Sequence, residues 1–288
     1  MRYSIQHQTT YDYESSVILL PHTLRLRPRS DSWQTLETFE IQVSPKPIGI
    51  SEGIGLDGNP LIKLWFEHVP CDRLDITVRS IVETHQENPF IYLLDPFAMQ
   101  LPIDYPASLK SQLQSYLRSQ DWVDPVAVEI AQNLLVQVDG SVMNFLTQLN
   151  QLINAECHYG IREMGRAFPP GVTWRDRKGS CRDFTVLFIE VCRAVGLAAR
   201  FVSGYQEGDL DRAEHDLHAW AEVYLPGAGW RGYDPTLGLV VGDRHIALVA
   251  SPDVETAAPV VGNYRPAEST GLMPRSMLRS DVRLWAAE

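Results

Sequence analysis

Cysteine is scarce in this chain. There are four in 288 residues (Cys71, Cys157, Cys181 and Cys192), and no two form a C-x-x-C pair. That spacing argues against a disulfide framework and makes a reducing cytoplasm the expected compartment. Long hydrophobic runs are missing too. No apolar stretch approaches the ~20 residues that span a bilayer, and the opening MRYSIQHQTTYDYE lacks the apolar core of a signal peptide. No membrane partner is expected. Positive charge is in deficit, with 25 Lys and Arg against 36 Asp and Glu, a formal net charge of −11. An acidic chain repels phosphate backbones, so nucleic acid is a poor partner. The longest basic run, Arg25-Leu26-Arg27-Pro28-Arg29, reads as a solvated strand face. No D-x-[DN]-x-[DN]-G calcium loop occurs, so neither metal activation nor any other cofactor is indicated.

What remains is an ordinary globular composition, 44% hydrophobic and 21% charged, long enough for two cores. Residues 1 to about 85 read as β. Tyr3, Ile5, His7 and Thr9 alternate with Arg2, Ser4, Gln6 and Gln8. Further extended runs cover Val17 to Arg27, Thr35 to Val43, Leu61 to Glu67 and Leu74 to Glu83, with a strong turn at Asp57-Gly58-Asn59-Pro60. His7, His22, His68 and His85 are scattered over separate strands, which argues against a shared site. An antiparallel sandwich or barrel over residues 1–95 is expected. Prolines 89, 96, 102 and 106 mark a junction, and residues 96–288 form the second unit. Helices are expected at Ser108 to Arg118, from Asp124-Pro125 to about Gln137, and at Ser141 to Glu156. Cys157 to Lys178 reads as a long loop, and the chain ends in a β tail. The overall class is α+β.

One stretch organises the second unit. Gly179-Ser180-Cys181-Arg182-Asp183-Phe184 puts a cysteine in the first turn of an amphipathic helix, with apolar residues at Phe184, Leu187, Phe188, Val191, Cys192 and Val195 and a closing Gly196. Unpaired backbone N–H groups and the helix dipole there favour thiolate over thiol. Asp183 suits the same dipole whatever the chemistry. An extended run from Ala198 to Tyr205 follows, then Leu217 to Leu225 and Trp230 to Tyr233 across the turn Pro226-Gly227-Ala228-Gly229. Paired as a hairpin, these last two bring His218 and Asp234 to one end of neighbouring strands. A thiol attacking a carbonyl needs a base, and a carboxylate on that base fixes its tautomer. Cys181, His218 and Asp234 therefore form a candidate triad. The Cys181 N–H is one candidate oxyanion donor, and Tyr159, Trp174 and Trp220 are candidates for a second donor or a wall of the site. Trp220 and Glu222 share the strand face of His218. The rival is a metal site from Cys157, His158, Cys181 and His215 or His218, which lacks the closely spaced ligand pairs usual for zinc.

The runs GSCRDFTVLFIEVCRAVGLAARFVSGY and DLHAWAEVYLPGAGWRGYDPT resemble the bacterial transglutaminase-like superfamily, over about residues 140 to 250. The Tyr-x-Ile-x-His opening, Leu-Arg-Leu-Arg-Pro and Asp-Gly-Asn are similar to the N-terminal region that often precedes this core. The tail from Arg244-His245-Ile246-Ala247-Leu248-Val249 to Gly262-Asn263-Tyr264 also matches that architecture. The resemblance implies a core related to papain-type cysteine proteases, with the nucleophile at a helix N-terminus packed on an antiparallel sheet. It also implies Cys181 as nucleophile, His218 as base and Asp234 as its orienting carboxylate. Thr185 stands where the family commonly has a smaller residue. The expected function is amide cleavage through a thioester, on a protein or peptide substrate. Amine transfer on the same triad is the alternative, and a non-enzymatic scaffold is the third reading.

Overall fold

The computed structural model describes residues 1–117, 124–162, 165–208, 217–268 and 273–287. Five strands come first: β1 (Arg2–Leu24), β2 (Gln34–Ser44), β3 (Gly49–Ile54), β4 (Pro60–Trp65) and β5 (Cys71–Thr84). A single 3-10 turn at Pro96–Ala98 leads into α1 (Ala107–Gln112), α2 (Gln114–Leu117), α3 (Pro125–Gln137) and α4 (Val142–Glu156). Next are β6 (His158–Tyr159), α5 (Pro170–Asp176), β7 (Lys178–Gly179) and α6 (Cys181–Ala194). The chain finishes with β8 (Ala199–Gln206), β9 (His218–Leu225), β10 (Gly229–Asp234), β11 (Leu239–Val240), β12 (His245–Ser251), β13 (Val260–Pro266) and β14 (Ser276–Ala286).

The period-two pattern at the start places Tyr3, Ile5, His7 and Thr9 inside. The two extended runs expected before residue 28 are one long strand. Along its first half, β1 pairs with β5 on one edge and β14 on the other. A register shift between Asp12 and Val17 then lets the second half take β13 and β4 as neighbours. The result is one antiparallel seven-stranded sheet, ordered β2-β5-β1-β4-β3 with β13 and β14 also on β1. The expected sandwich or barrel is a bent half-barrel. The tail read with the second unit supplies two of its strands.

A sheet with one apolar face must bury it, and here the rest of the chain covers it. The Tyr3 hydroxyl donates to Glu207 at 2.9 Å, and His7 Nδ1 meets the Tyr205 hydroxyl at 3.0 Å. His7 Nε2 lies 3.1 Å from Ser280 Oγ and 3.0 Å from Thr9 Oγ1, so this buried histidine is fully engaged in packing the two sheets. Two amide side chains treat β12 as a strand would. Gln34 donates to the Ala247 carbonyl (3.0 Å) and accepts from its N–H (2.7 Å), and Asn59 does the same with Ala250 at 2.7 and 2.9 Å. With the Arg29 N–H, which also reaches the Ala247 carbonyl at 3.0 Å, they satisfy the outer edge of β12.

The second sheet runs β11-β10-β9-β8-β12, all antiparallel. Helix α6 buries Phe184, Leu187, Phe188 and Val191, with Phe188 stacked on Tyr233 at 5.6 Å. A small core of Val202, Trp220 and Ala250, with Val241 and Ala247, forms separately. Gly204 is required there, because a Cβ would run into the Ile246 carbonyl oxygen and the Trp220 ring. The segment expected as a long loop before Cys181 contains α5, which begins with Pro170 at a first-turn position where a missing N–H costs nothing.

Candidate active site

Cys181 opens α6, half-buried, behind Gly179 and Ser180. The approach is tight: a Cβ on Gly179 would lie 2.8 Å from Asp183 Cβ. Asp183 is fully buried and gathers four donor groups. It accepts from the Ser180 N–H (2.8 Å), Ser180 Oγ (2.9 Å), the Phe168 N–H (2.7 Å) and Arg162 Nη1 (3.1 Å). Beyond complementing the dipole, it fastens the loop that carries Arg162 and Phe168 to the first turn of the cysteine helix. Arg162 also lies over the Phe168 ring at 3.5 Å, and Arg182 reaches the carbonyls of Arg162 and Gly165.

The β9–β10 hairpin forms as its turn residues require, with Ala221 opposite Tyr233 and His218 and Asp234 at the same end. His218 Nε2 lies 2.7 Å from Asp234 Oδ2. Asp234 has no exposed side-chain surface, and its Oδ1 accepts the backbone N–H groups of Thr236 (2.9 Å) and Leu237 (3.2 Å). A second imidazole shares Oδ2: His245 Nε2, from the start of β12, at 3.1 Å. The carboxylate only accepts, so both Nε2 atoms carry protons. That leaves His218 Nδ1 as the ring atom available to Cys181, whose interaction helps raise the ring.

Burial works against charge on His218. The Asp234 charge, its hydrogen bond and the contact with Cys181 outweigh it and raise the ring to about 10. Burial likewise opposes charge on Asp234, yet His218 and His245 hold it well below the usual carboxylate range. For His245 burial wins over Asp234 and lowers it, so this ring is a neutral donor near pH 7. Burial pushes Cys192 far up and raises Cys157 and Cys71.

The three sequence candidates Cys181, His218 and Asp234 thus converge. Tyr159 sits on β6 opposite Gly179 in the parallel β6–β7 pair, close to the cysteine turn, and is half exposed. Trp174, on α5, is covered by the Arg177 guanidinium at 3.6 Å. Trp220 is buried 6.4 Å from the His218 ring and edge-on to His245 at 5.2 Å, with its Nε1 unpartnered among the described residues. Glu222 turns to Arg200 at 2.6 Å. For the metal reading, His215 lies outside the described residues. His218, Asp234 and His245 do offer ligand atoms within 4.8 Å of one another, but both imidazoles already hydrogen-bond Asp234 Oδ2. His245 is the residue that sequence reasoning passed over as part of the tail. A lone histidine opening a strand carries no spacing signal, and only the fold brings it to Asp234.

The fold and site define an α+β protein with a helix-borne thiol, an imidazole and a buried carboxylate on one sheet. Residues 3–83 match the bacterial transglutaminase-like N-terminal region, and residues 129–235 match the transglutaminase-like superfamily. The chain therefore carries that N-terminal region followed by a transglutaminase-like core. An uncharacterized protein of Mycobacterium tuberculosis is 29% identical over 279 residues, covering 91% of this chain and 87% of its own. A protein-glutamine gamma-glutamyltransferase of Pseudomonas aeruginosa is 40% identical over 67 residues, 21% of this chain and 10% of its own. The crystal structure of a candidate cysteine protease from Cytophaga hutchinsonii superposes with a TM-score of 0.71 at 19% identity, covering 100% of this chain and 92% of that one. This last likeness concerns the fold.

Proposed function

We propose that the protein cleaves amide bonds of a protein or peptide substrate through a thioester on Cys181. The observation that supports this most is His218 held between the Cys181 sulfur and the buried Asp234 carboxylate. His218, raised to about 10, already carries both ring protons at neutral pH, and the Cys181 sulfur attacks the substrate carbonyl beside it. As the C–N bond breaks, the imidazolium gives a proton to the departing amine. Water then gives a proton to His218 and attacks the thioester. The C–S bond breaks, and the acid is released with the Cys181 sulfur restored. The backbone N–H of Cys181 serves the developing oxyanion from the helix terminus, and Asp234 keeps the imidazole in register.

Water resolves the thioester in this reading because Cys181 is only half-buried and open to solvent. The local identity with a protein-glutamine gamma-glutamyltransferase favours a second reading, in which an amine resolves the same intermediate. One incubation separates them. With a glutamine-rich protein and a dansylated amine, hydrolysis releases ammonia or new termini without fluorescent product, and covalent dansyl incorporation overturns it. Cys181→Ala should abolish either outcome.

A further inference from the structure

We propose that His245 is a positioning residue that limits how tightly Asp234 holds the proton on His218. The inference rests on the reading of His218 as the acid–base residue. Two imidazoles from different strands converge on one carboxylate oxygen, His218 at 2.7 Å and His245 at 3.1 Å. Their roles differ by environment. The His218 side chain keeps 13% of its surface and touches Cys181, whereas the His245 side chain keeps 5% and packs edge-on against Trp220. His245 Nδ1 is buried with no partner among the described residues, so the ring's one polar engagement is the proton it gives to Asp234. The groups acting on it are Asp234 from β10, His218 from β9, and the charge of Asp243 just before its own strand.

The consequence follows from sharing. A carboxylate that accepts a second N–H on the same oxygen is a weaker partner for the first. In the proposed reaction His218 must release its proton to the leaving amine, and a general acid works best when its pKa lies near the operating pH. Asp234 alone would raise His218 further from that range. His245 adds no charge and takes up part of the oxygen's accepting capacity. It does this from β12, the strand that Gln34 and Asn59 of the N-terminal sheet grip from the other side. The N-terminal region thereby contributes to the setting of the imidazole without touching it.

The test uses the full chain and needs no substrate. Histidine ring nitrogens are followed by 15N NMR from pH 5 to 11 in the wild type, His245→Phe and His245→Gln. Phe keeps the bulk and loses the donor, while the Gln amide restores an N–H near the position of Nε2. In wild type, His245 should be a neutral Nε2–H tautomer through pH 7 with a bare Nδ1. In His245→Phe the midpoint of His218 should rise by about one pH unit, and in His245→Gln it should return towards wild type. The pH profile of Cys181 alkylation should move with it. A charged or Nδ1–H His245 in the wild type overturns the proposal even if neither variant folds. So does a His218 midpoint that stays or falls in His245→Phe. The functional reading fails separately, if His218→Ala leaves Cys181 alkylation unchanged.

Discussion

Replacing Asp183 by asparagine keeps the side-chain volume and removes one buried charge. In the protein that charge meets four donor groups with no exposed surface of its own: Ser180 N–H, Ser180 Oγ, Phe168 N–H and Arg162. An amide oxygen still accepts, but the amide nitrogen then faces donors where the second oxygen was. Breaking a buried ion pair costs about 3–5 kcal/mol, and a stranded buried N–H adds about 1–3 kcal/mol. Arg162 keeps 22% of its side-chain surface, so water recovers part of this. A net loss of about 4 kcal/mol is expected, and at ~2–4 °C per kcal/mol the melting temperature falls by about 8–16 °C. Circular dichroism at 222 nm against temperature reads it. Because Asp183 ties the Arg162–Phe168 loop to the turn that carries Cys181, trypsin should also cut near Arg162 at temperatures where the chain is still folded. A melting temperature within 2 °C of wild type, with unchanged proteolysis, would refute the reasoning.

Other outcomes follow from the same structure. Asp234→Asn removes the charge that holds up His218, so burial prevails and the ring should be neutral at pH 7, as its NMR titration will report. His218 is raised in the folded protein, so its contribution to stability is full below ~6.5 and is lost as pH climbs through about 10. Thermal melts should fall across that alkaline window, and less steeply in His218→Gln. Gly204→Ala drives a Cβ into the Ile246 carbonyl and the Trp220 ring, an overpacking cost of about 1–3 kcal/mol or more that chemical denaturation measures. Asn59→Leu breaks both hydrogen bonds to Ala250 and strands a buried N–H and carbonyl, at a cost of about 2–3 kcal/mol by the same measurement.

Local signals in the sequence located the cysteine helix and the hairpin. A 3.6-residue apolar rhythm over 181–195 and the Pro226–Gly229 turn each act within a few residues, and their products are α6 and β9–β10. Convergence of Cys181, His218 and Asp234 followed from that hairpin register. The half-barrel was less legible because its pairing is non-local. Residues 276–286 lie beside residues 3–13, and nothing near either segment encodes the partner. Strand β3 escaped notice because Pro45 and Pro47 precede it, and it is glycine-punctuated and exposed, with no alternation into a core. The residues that couple the two sheets are invisible for a related reason. Gln34 and Asn59 look like turn residues until β12 is placed against them, and His245 gains a role only when Asp234 arrives from another strand.

The central claim is that His218 activates Cys181. Its most direct measurement is the rate of iodoacetamide modification of each cysteine at pH 6.5, resolved by peptide mass spectrometry in wild type and His218→Ala. The account predicts that Cys181 reacts far faster than Cys71, Cys157 and Cys192, whose thiols burial holds up. It also predicts that His218→Ala abolishes that advantage. Equal rates at all accessible thiols, or an advantage of Cys181 that survives His218→Ala, would contradict it.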